Sequence, residues 1–298
     1  MSASFPTAAA SPVAAAAPAL RVRDLSVRFG GHLAVSSVDL DVPAGRISGL
    51  IGPNGAGKTT TFNAICGVIT PTSGQVELGG DDVSKLSTHQ RARRGIGRTF
   101  QRLEVFSSLS VRDNVRVGLE IRQSWSRRRA AAPQFLAGGA ELSADDEVAL
   151  IIDRLGLAEV AEVPVGSLPT GQARKVELGR ALAARPSVLL LDEPASGLDE
   201  QESVEFGALL GTLAASGLAI LLVEHDIALV MRVCSELSVL NFGQLIAHGT
   251  PEQVQSNAAV LDAYLGGGGN DATAVERAAV DAGVNVSDTS WSGPGAPS

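Results

Sequence analysis

The chain of 298 residues carries 24 Lys and Arg against 32 Asp and Glu, a formal net charge of -8 that argues against the broad basic surface a nucleic-acid backbone requires. Hydrophobic residues make up 45% with 33 glycines and only 4% aromatics, the profile of an α/β protein built on Val, Leu, Ile and Ala with many turns. No apolar run approaches the roughly 20 residues that span a bilayer. Cys66 and Cys234 stand far apart with no CxxC or Cys/His cluster, which makes them core thiols rather than metal or redox groups.

The Ala/Pro-rich residues 1–19 lack the charged start and long apolar stretch of a secretory signal and are expected to form a disordered tail. Alternation through Leu20, Val22, Leu25, Val27 and Phe29, then Val38, Leu40 and Val42, predicts short strands with one buried face, an antiparallel opening. The compact apolar runs 47–51, 188–191 and 219–223, each followed by polar residues, suit parallel strands buried on both faces. Between the first and second lies a helical region, about 111–184. It includes Arg127, Arg128 and Arg129 beside Trp125, a solvated helical face or, alternatively, a contact for anionic lipid headgroups. Residues 266–298 open with four glycines and drift into Asp, Thr, Ser, Gly and Pro, a second flexible tail, so the folded body is expected over 20–265.

Gly52-Pro53-Asn54-Gly55-Ala56-Gly57-Lys58-Thr59 fits the phosphate-binding loop, with an apolar strand before it and a helical stretch after. Glycines let the backbone wrap an anion so that successive N–H groups and a helix N-terminus face the phosphates. Lys58 is expected on the β- and γ-phosphates and Thr59 on Mg²⁺. The run 188–191 ends in Asp192 and Glu193, where a parallel sheet presents its ligand edge. Asp192 is expected to hold Mg²⁺ through a water, and Glu193 to polarise the attacking water. Paired acids after a strand also serve as loop or capping groups, so this reading draws on the phosphate loop.

The order of residues 52–59, Arg98-Thr99-Phe100-Gln101, Leu168-Pro169-Thr170-Gly171-Gln172, residues 189–194, Ser196-Gly197-Leu198-Asp199 and His225 resembles the ABC ATPases over nearly all of 20–265. The resemblance implies an α/β P-loop NTPase core with a mainly parallel sheet, an N-terminal antiparallel β subdomain and an inserted helical subdomain over about 102–184. It implies ATP and Mg²⁺, with phosphate contacts extending from Gly52 through Thr60. In that pattern Phe29 stacks on adenine, although a core strand residue would read the same way. Gln101 senses Mg²⁺ and a transmembrane partner, Asp199 communicates across a dimer, and His225 contacts the γ-phosphate. Catalysis thus falls to Glu193, His225, Lys58 and Gln101, the metal to Thr59, Gln101 and Asp192. His32, His89 and His248 match no motif.

One motif set per chain implies a second ATP-binding subunit, the two closing head to tail so that Thr170, Gly171 and Gln172 of one face ATP on the other. Arg98 to Gln101, Glu224 to Met231, and Gly249-Thr250-Pro251-Glu252 followed by Ala263-Tyr264-Leu265-Gly266 look like ATP-binding subunits of branched-chain amino acid importers. The implied role is ATP hydrolysis at the cytoplasmic face of the membrane, powering separate permease subunits, with a solute-binding protein as indirect partner and no nucleic acid. The rivals are a regulatory module with little hydrolysis, an exporter ATPase with another cargo, and an ATPase acting on ribosomes or DNA. One departure stands out: the family's signature carries Ser and Gly where this chain has Pro169 and Thr170. Proline removes a hydroxyl and an N–H, about 1.5 to 3 kcal/mol for a lost bond to a charged group. Proline at the first position of a helix, and the Thr170 hydroxyl, are expected to soften the loss.

Overall fold

The computed structural model describes residues 18–125 and 142–265. The tail 266–298, the Arg127, Arg128, Arg129 run and nearly all of 1–19 lie outside the described residues. Ala19, which the sequence reading leaves in the tail, is tied to the sheet: its N–H donates to Val42 O (3.0 Å) and its carbonyl accepts from Gly79 N (2.9 Å).

Two sheets make up the β structure. The smaller is antiparallel in the order β2 (His32–Val42), β1 (Leu20–Phe29), β4 (Ser73–Leu78), β5 (Asp81–Asp82). The larger runs β10 (Gln244–Gly249), β9 (Glu236–Asn241), β3 (Ile47–Ile51), β8 (Ala219–Val223), β7 (Val188–Asp192), β6 (Ile96–Arg98). All its pairs are parallel except β9 with β10. Every residue of β3, β7 and β8 is buried, as suits their largely apolar runs, with Ser48 of β3 satisfied by donating to Glu236 Oε1 (2.8 Å).

Period-two alternation sends these runs into two cores. Ile47, Ile51, Leu189, Leu191, Ile220 and Leu222 pack with the helices α3 (Val111–Ser124), α4 (Ala144–Arg154), α5 (Thr170–Ala183) and α6 (Glu200–Ala215). Leu50, Val188, Leu190, Ala219, Leu221 and Val223 pack with the small sheet and α1 (Lys58–Cys66), whose end is held by Arg91 of α2 (Thr88–Arg94). Both cysteines are buried, which pushes Cys66 up to about 11 and Cys234 up to about 12, as befits inert core thiols. β6 and β9 were not legible as strands: β6 is three residues long, and buried Ser238, bonded to His248 Nδ1 (3.1 Å), interrupts β9.

Register decides where the chemistry can lie. Asp192 pairs with Val223, Gly49 with Leu222 and Arg98 with Leu190, so the chain leaves β3, β6, β7 and β8 at one edge of the sheet.

The region expected to be helical divides into α3, α4 and α5, the first two begun by Ser110 and Ser143, whose side chains accept from Asp113 N and Asp146 N. Glu147 of α4 is buried and accepts from Arg122 (2.6 and 2.7 Å) and Arg185 (2.8 and 2.9 Å), joining α3, α4 and the segment after α5. Burial alone would raise its carboxyl, but the two guanidinium groups outweigh it and hold the group below its ordinary 4.5. The network therefore contributes its full stability above that value and loses it as pH falls through the depressed folded-state pKa. Glu147→Gln is expected to cost roughly 3 kcal/mol at neutral pH. The gap from wild type in urea melts should shrink in acid; equal midpoints at pH 7 would show the network to be idle.

Candidate functional site

The turn after β3 is shaped by glycine. Gly52 has φ 149°, and a Cβ there would lie 2.1 Å from Leu240 O; Gly57 has φ 102°, and a Cβ would lie 2.8 Å from Ala34 O. Any larger side chain would push the loop off the β9–β10 hairpin, to which it is fastened by Gly243 N donating to Ala56 O (2.9 Å). The loop runs straight into α1, so its amides and the helix N-terminus share one concave surface. Lys58 is 6% exposed and its Nζ donates to the carbonyls of Gly52 (2.5 Å) and Pro53 (3.0 Å). Phe29, His32, Ala34 and residues 55–60 line one cavity. Phe29 is 51% exposed at its rim, which removes the core-residue alternative, and His32, which no motif singles out, stands beside it. Thr59 and Thr60 occupy the first turn of α1 in the same wall. A cradle of amides with a deep ammonium and an aromatic at its mouth fits a nucleoside triphosphate.

On the neighbouring strands, Glu193 takes φ 49°, a left-handed conformation that costs a non-glycine residue about 1 to 3 kcal/mol. Its N–H continues the ladder to Val223 O (2.8 Å), while its side chain turns out to meet two partners. Glu193 Oε1 lies 2.6 Å from His225 Nε2, and Glu193 Oε2 accepts from Gln101 Nε2 at 2.9 Å. Three residues far apart in sequence thus form one connected group. Asp192, one residue back, is 4% exposed; burial pushes its carboxyl above the usual range, and the Arg98 guanidinium at 3.5 Å opposes this. No cluster of three or more His, Cys, Asp or Glu among the described residues could hold a metal alone. Asp192 offers one buried carboxylate beside the phosphate-loop helix, and Mg²⁺ is commonly held by one or two carboxylates with phosphate oxygens and water completing its shell.

Several charged residues around this edge escaped the sequence reading. Arg174 of α5 donates to the carbonyls of Phe100 (3.2 Å), Gln101 (2.9 Å) and Ser196 (3.4 Å). Glu177, one turn on, accepts from the N–H groups of Phe100 and Glu104 (3.3 Å each), and burial pushes its carboxyl up. Glu224 is likewise raised by burial and accepts from Ala195 N (2.7 Å) and His225 N (3.1 Å), pinning the loop after Glu193. The available signal was a charge pair three apart among the apolar residues Ala173, Val176 and Leu178, where a solvated face would not be expected.

The signature segment needs one correction. Pro169 is the N-cap of α5, not its first helical residue: it is extended (ψ 153°), and its carbonyl accepts from Ala173 N at 3.0 Å. Thr170 is exposed as the first helical residue, Gly171 is buried close to Glu202, and Gln172 lies half-buried. Pro169, Gly171 and Gln172 line a cavity with Lys175 and Leu198, distinct from that of the phosphate loop. Asp199 caps α6 through Glu202 N (2.8 Å), in a capping box that Glu202 completes.

Residues 35–196 match the family model described as ABC transporter, and 244–270 match the one described as Branched-chain amino acid ATP-binding cassette transporter. The branched-chain amino acid transport ATP-binding protein BraF of Pseudomonas aeruginosa is 38% identical over 258 residues, covering 84% of this chain and 98% of BraF. LivG of Escherichia coli K12, similarly described, is 39% identical over 252 residues, 84% of this chain and 98% of LivG. The lipopolysaccharide export ATP-binding protein LptB of the same strain is 37% identical over 247 residues, 83% and 97% of the two chains. Among solved structures, a nucleotide-free ATP-binding cassette from an ABC transporter superposes with TM-score 0.70 at 26% identity, over 82% of this chain and 98% of that one. Its cradle, its Gln101–Glu193–His225 group and these matches lead to one conclusion: the chain belongs to the ATP-binding proteins of ABC transporters.

Proposed function

We propose that this chain hydrolyses Mg·ATP in a head-to-tail dimer to power uptake of branched-chain or similar small amino acids through separate permease subunits at the cytoplasmic face of the membrane. The match of residues 244–270 to a model described for branched-chain amino acid transporters carries the cargo reading. Overall identity alone separates importer from exporter poorly, since LptB at 37% stands next to BraF at 38%. No helix among the described residues is long and apolar enough to cross a membrane.

In this reading Lys58 exchanges the carbonyls of its own loop for β- and γ-phosphate oxygens, and the amides of residues 55–60 take the remaining phosphate charge. Phe29 supplies a flat apolar surface at the adenine end. Asp192, Thr59 and Gln101 are the residues that would hold Mg²⁺, and the ion would neutralise charge developing on the phosphate oxygens. Glu193 orients the attacking water and accepts its proton, while His225 and Gln101 fix the carboxylate and face the γ-phosphate. Thr170 and Gly171 at the tip of α5 serve the ATP of the opposite chain.

The permease would dock in the groove between the segment after Gln101 and helices α3 and α5. Phe100, Phe106 and Ile121 stay 45 to 48% exposed along it, an apolar patch suited to an amphipathic helix. In proteoliposomes holding the chain with its co-purifying permease, a leucine-loaded solute-binding protein is expected to raise ATP hydrolysis and drive leucine inward. Stimulation by a lipid cargo and none by leucine, isoleucine or valine would sink the importer reading.

A further inference from the structure

Arg98 stands at a crossing that the roles above do not use. It ends β6, the edge strand parallel to β7, so its side chain leaves the sheet beside the end of the strand that carries Asp192. One guanidinium nitrogen lies 3.5 Å from Asp192 Oδ2 and the other donates to Asn63 Oδ1 at 2.8 Å. Its guanidinium carbon lies over two rings, 4.9 Å from the centre of Phe62 and 4.8 Å from that of Phe100. Phe62 and Asn63 belong to α1, the helix that begins at Lys58. Phe100 belongs to the segment leading into Gln101 and, with Arg98, lines the apolar groove. One side chain therefore touches the phosphate-loop helix, the last residue of β7 and the wall of the groove.

Charge and shape both favour arginine here. Asp192 is almost fully buried, and a buried carboxylate without a nearby cation would be held poorly in place. A lysine could supply the charge but not a planar group that meets two rings while donating to two oxygens.

We propose that Arg98 is a positioning residue for the metal step: it holds Asp192 in the orientation that serves Mg²⁺, and links that carboxylate through Phe100 to the groove. This rests on the Mg·ATP reading above. Outer partners that orient a metal-binding carboxylate typically change metal affinity by about 10- to 100-fold when removed.

The test measures ATP affinity of the purified full chain by calorimetry, once in EDTA and once with Mg²⁺, together with melting temperature. In wild type the metal should tighten binding. Arg98→Met should leave affinity in EDTA within about twofold while reducing the metal-dependent gain by about tenfold or more. Arg98→Lys, the fallback should the Met variant fold poorly, should lie between, and Phe100→Ala should shift the gain in the same direction by less. In an Asp192→Asn background, Arg98→Met should have no further effect on the gain, because the residue it positions is gone. A purely structural role would lower the melting temperature and leave the gain unchanged in Arg98→Met and Arg98→Lys; that result overturns the proposal, as does a larger gain, which would make Arg98 a competitor of the metal. Wild type that binds no ATP under either condition would instead refute the Mg·ATP reading, and the proposal with it.

Discussion

Glu193→Gln is expected to bind ATP normally and to hydrolyse it about a hundredfold to ten-thousandfold more slowly, the range set by losing a positioned general base. The geometry makes this a clean substitution. Glu193 sits between Gln101 Nε2 and His225 Nε2, and its backbone is fixed by bonds to Val223 O and from Ser196 N, so an amide of equal size occupies the same place. Only the second acceptor oxygen and the negative charge are lost, and with them the ability to take a proton from water. In the proposed cycle hydrolysis releases the two chains, so the variant should also accumulate as an ATP-bound dimer, read by single-turnover assay and by size-exclusion chromatography with ATP. Unchanged steady-state hydrolysis would remove Glu193 from its role and leave the φ of 49° at this position without a functional account.

The sequence carried the parts of this site whose chemistry demands a fixed local pattern. The glycines of residues 52–57 were legible because each is required by backbone: Gly52 and Gly57 admit no Cβ against Leu240 O and Ala34 O. The buried strands β3, β7 and β8 were legible because burial on both faces favours compact, largely apolar runs. What stayed hidden depends on partners distant in sequence. Arg98 was visible in a motif but without a task, since Asn63, Phe62 and Asp192 converge on it only through the order β8, β7, β6 of the sheet. Arg174 and Glu177 stand among apolar residues, but their partners at Phe100 and Gln101 meet them only when that segment folds across α5. Pro169 takes the N-cap rather than the first turn, a choice local sequence does not make because proline suits both positions.

Lys58→Ala should have the largest effect on binding itself. The ammonium is buried at the floor of the cradle, where low dielectric makes its attraction to phosphate stronger than in water. Losing one bond to a charged group costs about 1.5 to 3 kcal/mol, so ATP should bind roughly ten- to hundredfold more weakly, and turnover should fall further because phosphate charge grows in the transition state. The fold should survive. Helix α1 is anchored by Phe62 and Ile65 in the core, and its far end by Arg91, whose guanidinium donates to the carbonyls of Ala64 (2.7 Å) and Ile65 (2.6 Å). Circular dichroism and melting in the absence of nucleotide should therefore match wild type closely, while calorimetry with Mg·ATP should not. If Lys58→Ala keeps full affinity for ATP, the cavity lined by Phe29 and residues 55–60 is not the triphosphate site, and the roles of Asp192, Glu193 and His225 lose the substrate on which they depend.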